Sequence, residues 1–101
     1  MLDKLTSADF MPYLNQEFQV HYKEGASLLV VLDKVTELNA NRSLPGHRRA
    51  FSILFRAAPD ATVILHQHIF KIEHPQVGTY DIFIVPVGMD ENGRYYEAIF
   101  N

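Results

Sequence analysis

The last third of the chain, Phe70 to Asn101, constrains the fold more than any other stretch. It holds three apolar-rich runs separated by two turn signals. The first run reaches His74 and meets Pro75–Gly78. The second, Thr79 to Val87, meets Gly88–Arg94, and the third is Tyr95 to Asn101. Asn92 and Gly93 suit a tight hairpin because both tolerate positive φ. Consecutive short strands joined by hairpins pair antiparallel, so this third predicts a meander. Pro86 has no amide donor and predicts an edge, a bulge or the end of its strand. Ile82–Val85 is apolar on both faces of a strand. One face meets the interior, and the other needs cover from an N-terminal helix, from the 57–67 segment or from a partner chain.

The rest of the chain fits the same pattern. Phe18, Val20 and Tyr22 alternate with polar neighbours, the period of a half-buried strand. Leu28, Val30 and Leu32 share one face of the next strand, but Val35 falls out of phase. A bulge or a sharp bend near Asp33 and Lys34 repairs the phase, and bends of this kind let a sheet curl into a barrel. Residues 40–49 read as a polar loop holding Pro45 and Gly46. In the following strand Phe51, Ile53 and Phe55 point inward, and Ser52 and Arg56 outward. Pro59 and Asp60 suit a helical turn within 57–67. At the other end, Thr6 and Asp9 have the spacing of a capping box, with Leu5 and Phe10 placed as a hydrophobic staple. Pro12 limits that helix to one or two turns.

The chain is therefore read as one all-β domain over residues 1–101. Residues 1–15 form a helical segment. Residues 16–101 form a small six-stranded antiparallel barrel or curled meander sheet. A chain of 101 residues is long enough for one core of its own.

Composition narrows the chemistry. The sequence has no cysteine, which removes disulfides, thiolate catalysis and thiolate metal sites. It shows neither a signal peptide nor an apolar run near the ~20 residues of a membrane-spanning helix, so a cytoplasmic location without membrane attachment is expected. The net charge of −3 argues against nucleic-acid binding, which favours a basic face. No serine sits in a Gly-x-Ser-x-Gly context, and no glycine-rich phosphate loop follows a strand. The reading favours a non-enzymatic role without a cofactor.

Four groups of residues still invite a site. His66 and His68 are two apart, so on a strand both imidazoles point to one side. With Glu73 they make a candidate set for a divalent transition metal. The set partly resembles the cupin pattern, although Asp60 stands where that pattern has Gly and Glu91 where it has its last His. Arg42, Arg48 and Arg49, beside Gly46 and His47, form a candidate anion site. Asp90, Glu91 and Asn92 do not have the spacing of a calcium loop and read as a polar hairpin tip. Tyr95, Phe83 and Val85 are the candidate interface residues. Tyr95 lies on the face opposite Tyr96, and Phe83 and Val85 belong to the doubly apolar strand. His74, next to Pro75, reads as a turn-stabilising side chain.

Glu73–Pro75, Gly78, Ile82–Gly88, Asp90, Gly93 and Tyr96–Asn101 together resemble a group of bacterial proteins of about this length without assigned biochemical function. Leu2, Asp3, Asp9, Phe10 and Phe51–Arg56 add to the likeness. The resemblance implies a small β-barrel associated with phage-tail-like genes. It implies no catalytic residues. The expected function is thus a structural or protein-interaction module with a protein partner or a homo-oligomeric state. The alternative is a cupin-like barrel binding a metal or small ligand through His66, His68 and Glu73.

Overall fold

A computed structural model describes residues 4–38 and 49–101. Six strands, β1 (Glu17–Lys23), β2 (Ala26–Glu37), β3 (Phe51–Ala57), β4 (His68–His74), β5 (Gly78–Asp90) and β6 (Gly93–Phe100), follow one helical turn, α1 (Ser7–Phe10). They form a closed barrel in the order β1-β2-β3-β6-β5-β4. Each ladder is antiparallel. The barrel closes where β1 meets β4, from Gln19↔Glu73 to His21↔Lys71. Closure leaves no exposed sheet edge at that seam, which otherwise invites pairing with other chains.

The alternation works as the sequence implies. Val20, Val30, Leu32, Ile53, Phe55, Ile72, Ile82, Ile84, Tyr96 and Ala98 fill the interior and are almost wholly buried. The β2–β3 register slips between Leu32 and Lys34. That bulge turns Val35 back toward the core, against which it packs, and sets Asp33 3.2 Å from Arg56. A second bulge lies between Pro86 and Gly88, where Pro86 cannot donate. Gly93 has φ +148, and a side chain there would run into the Ala57 carbonyl, so only glycine lets β6 pass β3 this closely. Ser52 points outward as expected but is buried, because Thr36 and Ile99 flank it on the neighbouring strands.

The two ends of the barrel are closed differently. At one end α1 is held by its capping box: the Asp9 carboxylate accepts from the Thr6 N–H at 2.8 Å. At Met11 the helix tightens into a 3-10 turn, Met11–Tyr13, that contains Pro12. This segment drops Phe10 onto Phe18, Phe51 and Phe100, with ring centroids 5.8–6.5 Å away. At the other end the chain must travel from β3 to β4, which sit on opposite sides of the ring. Residues 58–67 make this crossing over the barrel mouth. They form a turn closed by Ala61 N–H to the Ala58 carbonyl at 3.0 Å, not the expected helical turn. Leu65 is the buried residue of the crossing, and its N–H donates to the Tyr96 hydroxyl at 3.0 Å.

Candidate functional site

The metal candidates do not come together. β4 begins at His68, so His66 lies in the irregular crossing and the period-two argument does not reach it. Glu73 stands five residues further along β4, about 16 Å at strand rise. An odd spacing also puts Glu73 on the face opposite His68. Its carboxylate is engaged by His21, Nε2 to Oε1, at 2.8 Å. No group of three or more His, Asp or Glu side chains arranged for a metal exists among the described residues.

Of the anion candidates, Arg42 and Arg48 lie outside the described residues. Arg49 is exposed and pairs with Glu37 at 3.3 Å. An exposed pair of this kind contributes little to stability.

His74 is buried and serves the turn after β4. Its Nδ1 accepts from the backbone N–H groups of Gln76 and Val77 at 3.1 and 3.3 Å. Those two bonds require an unprotonated Nδ1, so Nε2 carries the hydrogen and donates to Gln16 Oε1 at 2.8 Å. The ring contacts Tyr13 and Phe18, with centroids 4.7 and 4.6 Å away. Burial lowers the imidazole pKa from its ordinary value. This neutral histidine joins β1, the β4–β5 turn and the N-terminal segment, which is a structural task.

The interface candidates divide. The Tyr95 hydroxyl donates to the Asp90 carboxylate at 3.1 Å, and Asp90 also accepts from the Asn92 N–H at 2.8 Å. Desolvation first, then that bond, raises the phenol pKa above its ordinary value. Tyr95 and Asp90 therefore brace the hairpin tip. Phe83 remains 50% exposed, and neither the N-terminal helix nor the crossing covers it. Val85 beside it is half-buried. Phe83 pairs across the ladder with Ile69, which is 57% exposed. On the other side the β5–β6 ladder ends at Val85↔Glu97, two residues along the chain from Phe83 and from Ile99. Ile99 is also 57% exposed. The outward faces of β4, β5 and β6 thus expose three large apolar side chains, Ile69 and Phe83 as direct cross-strand neighbours and Ile99 on β6. Lys71 and Asp81 lie at one side of this group, paired at 3.4 Å. Glu97 lies at the diagonally opposite corner.

Ile69 and Ile99 were not among the sequence candidates. The signal was present: with Phe70, Ile72, Ala98 and Phe100 inward, alternation sends both isoleucines outward.

The family model described as Domain of unknown function (DUF6916) matches residues 5–100. The chain belongs to this family. The match begins at the staple residue Leu5 and runs through the closing strand, so it takes in the whole barrel and its plug. It agrees with the uncharacterised family of small proteins that the sequence resembles. No curated protein and no solved structure matches the chain. No helix among the described residues is long and apolar enough to cross a membrane.

Proposed function

We propose that this domain is a non-catalytic assembly module that pairs with a second copy of itself through the outer wall of β4, β5 and β6. The observation that carries the reading is the group of Ile69, Phe83 and Ile99, each at least half exposed. Scattered single apolar residues on a surface are ordinary, but several on one wall mark an interaction face. With Val85 the group presents on the order of 300–400 Å² of apolar surface. That is the core of an interface to which each partner gives ~800 Å².

The corners of the face favour a copy of the same chain. A two-fold axis through Phe83, lying in the plane of the wall, sets Phe83 on Phe83. It also brings Lys71 of each copy over Glu97 of the other. Isologous pairing of this kind is the commonest form of soluble oligomer. An assembly role also suits the phage-tail-like association that the sequence resemblance implies.

Light scattering across a concentration series tests the reading. The unaltered protein is expected to dimerise as concentration rises, and Phe83→Asp to stay monomeric with an unchanged unfolding midpoint. A protein that is monomeric at every concentration overturns self-pairing and turns attention to a foreign partner for the same face.

A further inference from the structure

The crossing that closes the second end of the barrel does not fill it. Between the crossing and the ends of β1 and β4 lies a cleft of about 320 Å³. Ligand pockets begin at roughly 300 Å³, and barrel mouths are among their preferred places. Tyr22 and Phe70 form its aromatic wall, and Leu65 is the buried residue beneath it. Both rings line the cleft, Tyr22 one residue beyond the last β1–β4 pair, His21↔Lys71, and Phe70 one residue before it. His66, Gln67 and His68 form the polar rim.

Three features make this more than a gap. The crossing is anchored from below, Leu65 N–H to Tyr96 hydroxyl, so the cleft is formed before anything enters it. The His68 ring stands edge-on to Phe70, centroids 5.3 Å apart at 67°, which fixes one imidazole at the rim. No aspartate or glutamate lines the cleft. Neither His66 nor His68 has a hydrogen-bond or ion-pair partner among the described residues. Two unengaged imidazoles beside an apolar aromatic wall, with no acid near, complement a flat apolar body with one negative end.

We propose that the cleft binds a small planar aromatic carboxylate. Its ring lies against Tyr22 and Phe70, and its carboxylate accepts hydrogen bonds from His66 and His68. Offset aromatic contact holds the ring. Hydrogen bonds from the imidazole N–H groups to the charged carboxylate hold the acid. The site is at the barrel mouth and does not depend on the outer wall of β4–β6, so it stands or falls separately from self-pairing.

Amide chemical shifts of the full chain, followed during titration with benzoate, test the proposal. Two control ligands are used: benzamide, flat but neutral, and cyclohexanecarboxylate, charged but not flat. Benzoate is expected to shift the amides of Tyr22 and residues 64–70 saturably. Benzamide and cyclohexanecarboxylate are expected to bind about tenfold more weakly, and His66→Ala and His68→Ala to weaken benzoate by about the same factor. The same spectra report whether each variant, single or double, keeps the fold. Equal binding of benzoate and benzamide overturns the proposal. So does unchanged benzoate affinity in the double variant, or the lack of a saturable shift at these amides.

Discussion

The two ends of this barrel face the same physical problem and solve it with different material. At the first end a single helical turn delivers Phe10, 1% exposed, into a ring of Phe18, Phe51 and Phe100. At the second end an extended crossing lays Leu65 over Tyr96 and leaves a cleft beside it. The first plug is large, aromatic and made from residues that precede the barrel in the chain. The second is one buried aliphatic side chain and one hydrogen bond, with the partly buried Ala61 and Val63 packed against the core, on a connection the topology requires in any case. Stability should therefore concentrate at the first end and accessible space at the second. Substitutions at matched positions can break that contrast.

The largest effect is expected from Phe10→Ala. It removes a fully buried aromatic side chain from a pocket of three others that cannot collapse onto the space, a loss of about 3–5 kcal/mol. Chemical denaturation measures it. A loss under ~1 kcal/mol would mean that the end is held by the aromatic pair Phe51 and Phe100, stacked at 4.6 Å, and not by the plug.

Tyr96→Phe tests the second end with a smaller change. The ring stays and only the hydroxyl goes. The Leu65 N–H then lacks its acceptor in a buried setting, which costs about 1–3 kcal/mol. Hydrogen exchange at Leu65 should accelerate more than at Phe18 or Phe51, because only the crossing loses its anchor. Equal acceleration at both ends would show that the barrel opens as one unit.

Much of this contrast could be read from the sequence. The capping box and staple around Thr6 to Phe10 announced the first plug, since both are local patterns. An irregularity at Asp33 and another at Pro86 were also legible, though at Pro86 an edge, a bulge and a strand end stayed open until the register decided for a bulge. One follows from Val35 falling out of phase, the other from a missing donor. The second end was not legible. Residues 58–67 have no period, and nothing local says that β3 must pair with β6 and β1 with β4, leaving the crossing to span the mouth. The same gap misled the grouping of His66, His68 and Glu73. Spacing on one strand suggested a cluster, whereas β4 starts only at His68 and the odd interval to Glu73 reverses its face. The outward isoleucines follow from the alternation alone, with Phe70 and Ile72, and Ala98 and Phe100, on the inner face.

His74 ties the first end to the β4–β5 turn and gives that end a pH dependence. Its pKa is lowered in the folded chain from 6.5. As pH falls below 6.5 the unfolded chain takes up the proton first. Stability is then complete above 6.5 and declines toward the lowered folded value. Protonation would place a hydrogen on Nδ1, facing the Gln76 and Val77 N–H groups, with Tyr13, Gln16 and Phe18 around the ring. No carboxylate among the described residues is bonded to it, Glu73 being turned to His21. Denaturation midpoints at pH 7.5 and 5.5 should differ, and His74→Gln should shrink the difference. An unchanged pH dependence in that variant would assign the effect to other groups.

The smallest effect separates two neighbours within the crossing. Ile64 is 54% exposed and Leu65 is 4% exposed. Ile64→Ser removes apolar surface that water already reaches, so stability should stay within about 0.5 kcal/mol of the unaltered protein. Leu65→Ala opens the space under the crossing and should cost about 2–5 kcal/mol. Both residues border the same cleft, so the pair distinguishes a wall from a foundation. If Ile64→Ser proves as costly as Leu65→Ala, the crossing is a second packed plug and the two ends are alike. If it is silent, the second end rests on Leu65 with Ala61 and Val63 beside it, and Ile64 is free to vary at the edge of the cleft.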